Sequence, residues 1–375
     1  DALQRRLNDM GFLFSALGRY LMARSLIGIA IALVSVLAAI LLIDVVEQLR
    51  SIGDEADLTI FHAAGLTLLK TPMLIEQTLP FVVLAGAMIA VIGLNRSSEL
   101  TAMRAAGVSA WRFLAPPVVL AAAIGIIFVM VINPIGAATY ARYEQEKARL
   151  LSENPNEPTG NGVWIRQASR NEQVVVHAER WSDNGARLEN VTFLFFAPRD
   201  GSLKFTRRIQ AETADLRPGF WQLHNLVEAG PGVAPEHAAN LALPTSIDPT
   251  ELLDRFVAPA TLSFWRLPGF INQAHAAGLA PVRFELKWQS LLGFPVMLAA
   301  MAGLGAVFSL RLQRLGNVAR WAAFGAGIGL FLFFFGQLAA AFAVAQAVPP
   351  VVAAWSPPLT GLFTALAFVA YLEDG

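Results

Sequence analysis

Arg96 to Phe113 reads RSSELTAMRAAGVSAWRF. On either side lie runs apolar enough to cross a bilayer, Pro72 to Leu94 before it and Phe113 to Ile132 after it. A linker between two spans needs only to be polar, yet this one carries the marks of a short helix with both ends specified. Ser97 or Ser98 can cap its N-terminus, Glu99 falls in the first turn where the dipole favours an anion, and Gly107 stops it after Arg104. Leu100 and Met103 share one face at i, i+3. Two readings of this apolar strip flanked by charge stand at this point: a helix lying on lipid headgroups, or a knob that docks into a partner.

Outward from this stretch, the chain is too apolar for a soluble protein. Its 375 residues are 55% hydrophobic and 15% charged, with a mean hydropathy of +0.52. A bilayer core about 30 Å thick needs roughly 20 apolar residues as a helix. Besides the two runs already named, Leu26 to Ile43, Ser290 to Leu310, Trp321 to Val344 and Val351 to Leu372 approach that length. The first of them reads as an uncleaved anchor.

Six spans put both termini on one side, and Arg and Lys identify it. Arg5, Arg6, Arg19 and Arg24 precede the first span. Arg96, Arg104 and Arg112 lie between the second and third, and Arg311, Arg314 and Arg320 between the fourth and fifth. That side is the cytoplasm. The opposite loop from Asp44 to Thr71 is net acidic, with Asp44, Glu47, Asp54, Glu55 and Asp57 against Arg50 and Lys70.

Between the third and fourth spans the composition changes. Short β-rich runs recur at Val163 to Gln167, Gln173 to His177, Val191 to Phe196, Leu203 to Ile209 and Phe220 to Leu226. Turn residues at Ser182 to Gly185, Arg199 to Gly201 and Arg217 to Gly219 separate them. Such spacing predicts a β-sandwich or a partly open roll, flanked by helical connectors at Tyr140 to Leu151 and Pro249 to Ala276. Three divisions result: residues 1–132 with three spans and a cytoplasmic helix at 97–107, residues 133–265 with the β domain and its connectors, and residues 266–375 with three further spans.

Catalytic chemistry finds little support. The chain has no cysteine and a formal net charge of zero, which argues against thiol chemistry, disulfides and nucleic acid. Gly65 to Thr71 ends in Lys-Thr but has Leu69 where a phosphate-binding loop needs glycine. The five histidines lack metal-ligand spacing, no Gly-x-Ser-x-Gly elbow occurs, and no cofactor is expected. Glu47 and Glu76 stand near outer span ends, where a carboxylate is either functional or snorkels to the interface. Gly325 and Gly329 form Gly-x-x-x-Gly, and Ala302, Gly303, Gly305 and Ala306 crowd the fourth span. They are suited to packing inside the subunit or against a second one. The aromatic wall of Phe324, Phe331, Phe333, Phe334 and Phe335 faces lipid or lines an acyl-chain cavity.

With its flanks, the stretch from Leu94 to Ser109 resembles the coupling-helix region of the LptF/LptG family, the permease subunits of the lipopolysaccharide-export ABC transporter. Leu42 to Glu47, Gly162 to Arg166 and Glu373 to Gly375 carry the same resemblance, the first and last being closer to LptG. It implies an α-helical polytopic protein of the bacterial inner membrane with six transmembrane helices and a periplasmic all-β, jellyroll-like domain. The implied partners are a sister LptF-like permease, two copies of an LptB-like ATPase, and a single-span LptC-like protein. Lipopolysaccharide would be extracted from the outer leaflet and passed to the periplasmic bridge, with ATP hydrolysed in the partner chain. Glu99, Leu100, Met103 and Arg104 would carry the ATPase contact. On physical grounds Arg50, Lys70, Arg142 and Lys147 suit lipid phosphates, and Phe331 and Phe334 suit acyl chains. The alternative is a periplasmic sensor or envelope-assembly scaffold, for which a signalling module in the cytoplasm would be expected; a membrane-embedded transferase is a weaker third.

Overall fold

The computed structural model describes residues 15–53, 59–150, 163–168, 172–182, 187–199, 202–217, 219–231, 234–245, 258–276, 280–311 and 318–374. It divides into two compact units, one of membrane-length helices and one built on a β-sheet. The expected Arg5, Arg6, Asp54, Glu55, Asp57, Arg314 and most of the Pro249-side connector lie outside the described residues.

Of the helices, α1 covers Ala16–Gly53, α2 Ile60–Arg96, α3 Glu99–Ala105 and α4 Ala110–Ile127. After a π-helical turn at Phe128–Ile132, α5 continues over Asn133–Leu150. Beyond the β-strands come α6 (Leu267–Ala276), α7 (Val282–Arg311), α8 (Val318–Val344) and α9 (Pro350–Asp374). Six of these stretches are long and apolar enough to span a membrane, with α4 and α5 forming one of them, so the expected six-span fold is what the chain adopts.

The fourth span, in α7, is the most enclosed, with 78% of its apolar window buried; α1 has 17% and α8 22%. Small residues make this core possible. A Cβ placed on Gly305 of α7 would collide with the carbonyl oxygen of Leu84 in α2, and one on Gly28 of α1 with the carbonyl oxygen of Gly86. At Gly125 of α4 a Cβ would lie 2.6 Å from Cα of Pro295. Backbones touching this closely gain dispersion contacts that lipid cannot supply, which is the main source of helix association where apolar burial has no solvent contrast. Around these points Val82, Val83, Leu298, Met301, Leu304 and Phe308 form the core. The glycines of the Gly-x-x-x-Gly pair also pack inside the subunit: Gly325 faces Met88 and Gly329 faces Leu84.

The π-helical turn has a local cause. Pro134 has no N–H, so the carbonyl of Met130 loses its helical donor. The indole Nε1 of Trp265 donates to that oxygen at 3.3 Å. Beside it, Oδ1 of Asn133 accepts from the backbone N–H of Phe264 at 2.9 Å. Backbone acceptors left without a helical donor in a membrane-spanning segment need such substitutes.

The β unit is a six-stranded antiparallel sheet in the order β1-β2-β3-β4-β5-β6. The strands are Val163–Ala168, Gln173–Ser182, Arg187–Arg199, Ser202–Arg217, Phe220–Ala229 and Glu236–Pro244. This is an all-β domain, as expected, but its strands run as a meander and no Greek-key crossing joins them among the described residues. Of the shapes expected, the partly open roll fits best: Oγ1 of Thr245, just past β6, donates to Oε1 of Gln167 in β1 at 2.7 Å, bringing the two edge strands together at one end. Five strands were expected. The sixth, EHAANLALP, lacks β-branched and aromatic residues and is largely exposed, so propensity could not reveal it.

The inner face of the sheet changes phase midway along its strands. Buried positions run Phe195, Phe193 and Val191 and then Leu188 in β3. They run Ile209 and Ala211 and then Ala214 and Leu216 in β4, and Trp221 and Leu223 and then Leu226 in β5. The shift falls on a row of neighbouring residues, Glu179, Asn190, Glu212 and Asn225, which the ladders skip on β2 to β5. Asn190 and Asn225 adopt left-handed φ of 53° and 50°. Their amides donate to Oε2 of Glu179 at 2.9 Å and to Oε2 of Glu212 at 2.7 Å. The row is a crease that lets both halves of β3, β4 and β5 bury into one core.

Candidate functional site

Within Arg96 to Phe113, Glu99–Ala105 folds as a helix of seven residues, α3, between α2 and α4. Its C-terminus is as expected. Gly107 has φ of +80°, its N–H reaches the carbonyl of Arg104 at 3.0 Å, and the N–H of Val108 reaches that of Met103 at 3.0 Å. This is a Schellman closure, with Val108 packed on the cluster that includes Met103. The N-terminus differs from expectation. Ser98 occupies the cap position with a left-handed φ of 61° and makes no side-chain capping bond. The Ser97 hydroxyl donates to Oε1 of Glu99 at 2.8 Å instead of capping an N–H.

Leu100 and Met103 are buried, 2% and 9% exposed. They belong to one buried cluster with Leu21 of α1, Val91 and Leu94 of α2, Phe113 and Leu114 of α4, Val307 and Leu310 of α7, and Val369 of α9. Their apolar face therefore seats α3 on its own bundle. Thr101, Ala102, Arg104 and Ala105 remain exposed.

Glu99 is held in place. The Tyr20 hydroxyl donates to its Oε2 at 2.6 Å, and Arg24 Nη2 stands 3.7 Å from Oε1. Arg24 Nε donates to the Tyr20 oxygen at 2.9 Å, and its guanidinium lies 5.5 Å from the Tyr20 ring centre. The Tyr20 hydroxyl, then that of Ser97, holds the carboxyl of Glu99 below its ordinary range, so it is anionic throughout the physiological range. Tyr20 did not stand out in the sequence; the signal available was a tyrosine at a span end with an arginine one turn later.

A second polar constellation lies toward the opposite ends of the spans. Asp44 of α1, 7% exposed, accepts from Lys70 Nζ at 2.6 Å and from the Thr67 hydroxyl at 2.9 Å, both on α2. Lys70 also lies 5.8 Å from the ring centre of Tyr143 on α5, whose hydroxyl accepts from Gln48 at 3.1 Å. Glu76 of α2 pairs with Lys287 of α7 and accepts from Asn133 at 3.2 Å. It thus joins three spans and does not snorkel.

Of the cations expected to suit phosphates, Lys70 has its charge matched in cis by Asp44. Arg50, in the last turn of α1, and Arg142, on α5, are exposed. Lys147 is half-buried farther along α5, where it makes an interaction of its own. Phe331 and Phe334 are each 61% exposed on α8, and Phe331 stacks on Phe335 with centroids 6.2 Å apart. Gly65 to Thr71 is helical and forms no phosphate loop. Among the described residues no cluster of His, Asp and Glu could hold a metal.

Six spans in two groups of three about a β unit, with a sculpted helix between the second and third, define a polytopic membrane subunit of the permease class. Residues 19–371 match the family described as lipopolysaccharide export system permease LptF/LptG. The chain belongs to that family and, with its six apolar helices, is a multi-pass inner-membrane protein. It is 25% identical to the lipopolysaccharide export system permease protein LptG of Haemophilus influenzae over 354 residues, covering 92% of this chain and 96% of that protein.

Proposed function

We propose that the chain is the LptG-type half of a heterodimeric permease that extracts lipopolysaccharide from the outer leaflet of the inner membrane and passes it to a periplasmic bridge. ATP is hydrolysed in two copies of a separate LptB-like subunit, and a single-span LptC-like protein completes the machine. The likeness to the LptG of Haemophilus influenzae along nearly the whole of both chains supports the LptG assignment.

The observation that carries the ATPase-driven part is the state of α3. A helix of seven residues would not persist alone, yet this one is seated by Leu100 and Met103, closed by Gly107, and displays an ionised, oriented Glu99 beside exposed Thr101, Ala102 and Arg104. In this reading Glu99 and Arg104 meet the ATPase, while Leu100 and Met103 transmit force by fixing α3 to the bundle. The apolar outer faces of α1 and α8, including Phe331 and Phe334, are left for the sister permease and for acyl chains. Arg50 and Arg142 are better placed than Lys70 for lipid phosphates, because Lys70 would have to give up Asp44.

Affinity purification in mild detergent, with co-purifying chains identified and weighed by mass spectrometry, tests the assembly. Two ATPase copies and one sister permease are expected per chain. A chain recovered alone, or with envelope proteins only, would contradict the proposal.

A further inference from the structure

Resting on the reading of α3 as the ATPase contact, we propose that Tyr20 and Arg24 are positioning residues for Glu99, fastening α3 to α1 so that displacement of the cytoplasmic helix is delivered to the first span. The apolar seat of α3 does not choose a direction. Leu100 and Met103 share their cluster with residues of α1, α2, α4, α7 and α9, so burial alone attaches the helix to the bundle as a whole. Glu99 adds a polar attachment to α1. Tyr20 donates to Oε2, Arg24 approaches Oε1, and Arg24 holds the Tyr20 hydroxyl through Nε. Ser97, next to α3 itself, takes the remaining place on Oε1. Both carboxylate oxygens are therefore engaged, and hydrogen bonds to an ionised acceptor are the strong kind.

The span so attached is the least enclosed within this subunit. Only 17% of the apolar window of α1 is buried, against 56% for α2 and 78% for α7. At its close crossing with α2 the backbones of Gly28 and Gly86 touch. Displacement of α3 reaches α2 through the chain at Ser97 and Ser98, and through Tyr20 it also reaches α1. The same polar clasp also keeps Glu99 ionised and aimed.

A double-mutant cycle in the purified complex tests this. Tyr20→Phe removes one hydroxyl and leaves the ring. Lipopolysaccharide released per ATP hydrolysed is measured in proteoliposomes for the parent, Tyr20→Phe, Glu99→Ala and the double variant. Tyr20→Phe alone should lower that ratio roughly fivefold or more, a typical coupling factor, and should add nothing in the Glu99→Ala background. In Tyr20→Phe the acid limb of coupling should also move to higher pH, because Glu99 loses its strongest donor; a merely structural tyrosine would leave that limb in place. Additive losses, or an unmoved acid limb, overturn the positioning role. A parent preparation that contains no ATPase overturns the function reading beneath it, and with it this inference.

Discussion

The ammonium of Lys70 on α2 stands 2.6 Å from Oδ1 of Asp44 on α1, and the aspartate is 7% exposed. A carboxylate so far from water requires its partner, because the Coulomb attraction offsets the desolvation of both ions only while both are present. Lys70→Ala should therefore destabilise the helical bundle by about 3 kcal/mol or more, while Lys70→Ala combined with Asp44→Asn should recover most of the loss. Thermal unfolding in detergent distinguishes these outcomes; equal losses in the single and double variants would show that the pair is not coupled.

Close helix contacts make a second prediction. Gly305→Ala drives a methyl into the backbone of α2, whereas at Gly325 a Cβ meets the flexible end of Met88 at 3.4 Å and Cβ of Phe308 at 3.8 Å. The first substitution should cost about 1–3 kcal/mol, as over-packing does, and the second about 0.5 kcal/mol or less. Melting temperatures of the two variants, compared side by side, check the order.

In the β unit, Asn225→Gly should be tolerated and Asn225→Ala should not. The left-handed φ of 50° costs a residue with a Cβ about 1 kcal/mol unless its side chain compensates. The bond from Asn225 to Glu212 is such a compensation. Limited proteolysis of the β unit should be faster for Asn225→Ala and near the parental rate for Asn225→Gly.

The pH dependence of the same unit rests on Asp215. Nε and Nη2 of Arg187 grip its two oxygens at 2.7 and 3.1 Å, and Arg187 is the first cause holding that carboxyl below its ordinary range. A depressed folded-state pKa means that the stabilisation is fully present above the unfolded value, about 3.9, and is lost as pH falls through the folded one. Arg187→Ala should therefore lower resistance to denaturant at pH 7, by about 0.5 kcal/mol for a partly exposed pair. The difference from the parent should shrink as pH falls through the folded value.

Much of the helical part was legible because bilayer thickness imposes length and hydropathy on any span. The C-terminal stop of α3 at Gly107 was legible for a similar reason, since few residues accept φ of +80°. What the sequence left open depends on which side chains meet across long separations. Leu100 and Met103 read as an apolar strip, and nothing in the strip says whether the chain's own bundle or a partner covers it. Tyr20 and Glu99 are 79 residues apart. In the sheet, alternation breaks at Asn190 and Asn225, so counting by twos loses the inner face halfway along each strand, and β6 has no propensity signal.

ATP-dependent release of lipopolysaccharide from proteoliposomes holding the purified complex, compared between the parent and Glu99→Ala at equal expression and equal thermal stability, tests the central claim most directly. The account predicts that Glu99→Ala remains folded and yet loses release. Parental release by a stable Glu99→Ala complex would contradict the claim that α3 couples ATP hydrolysis to transport.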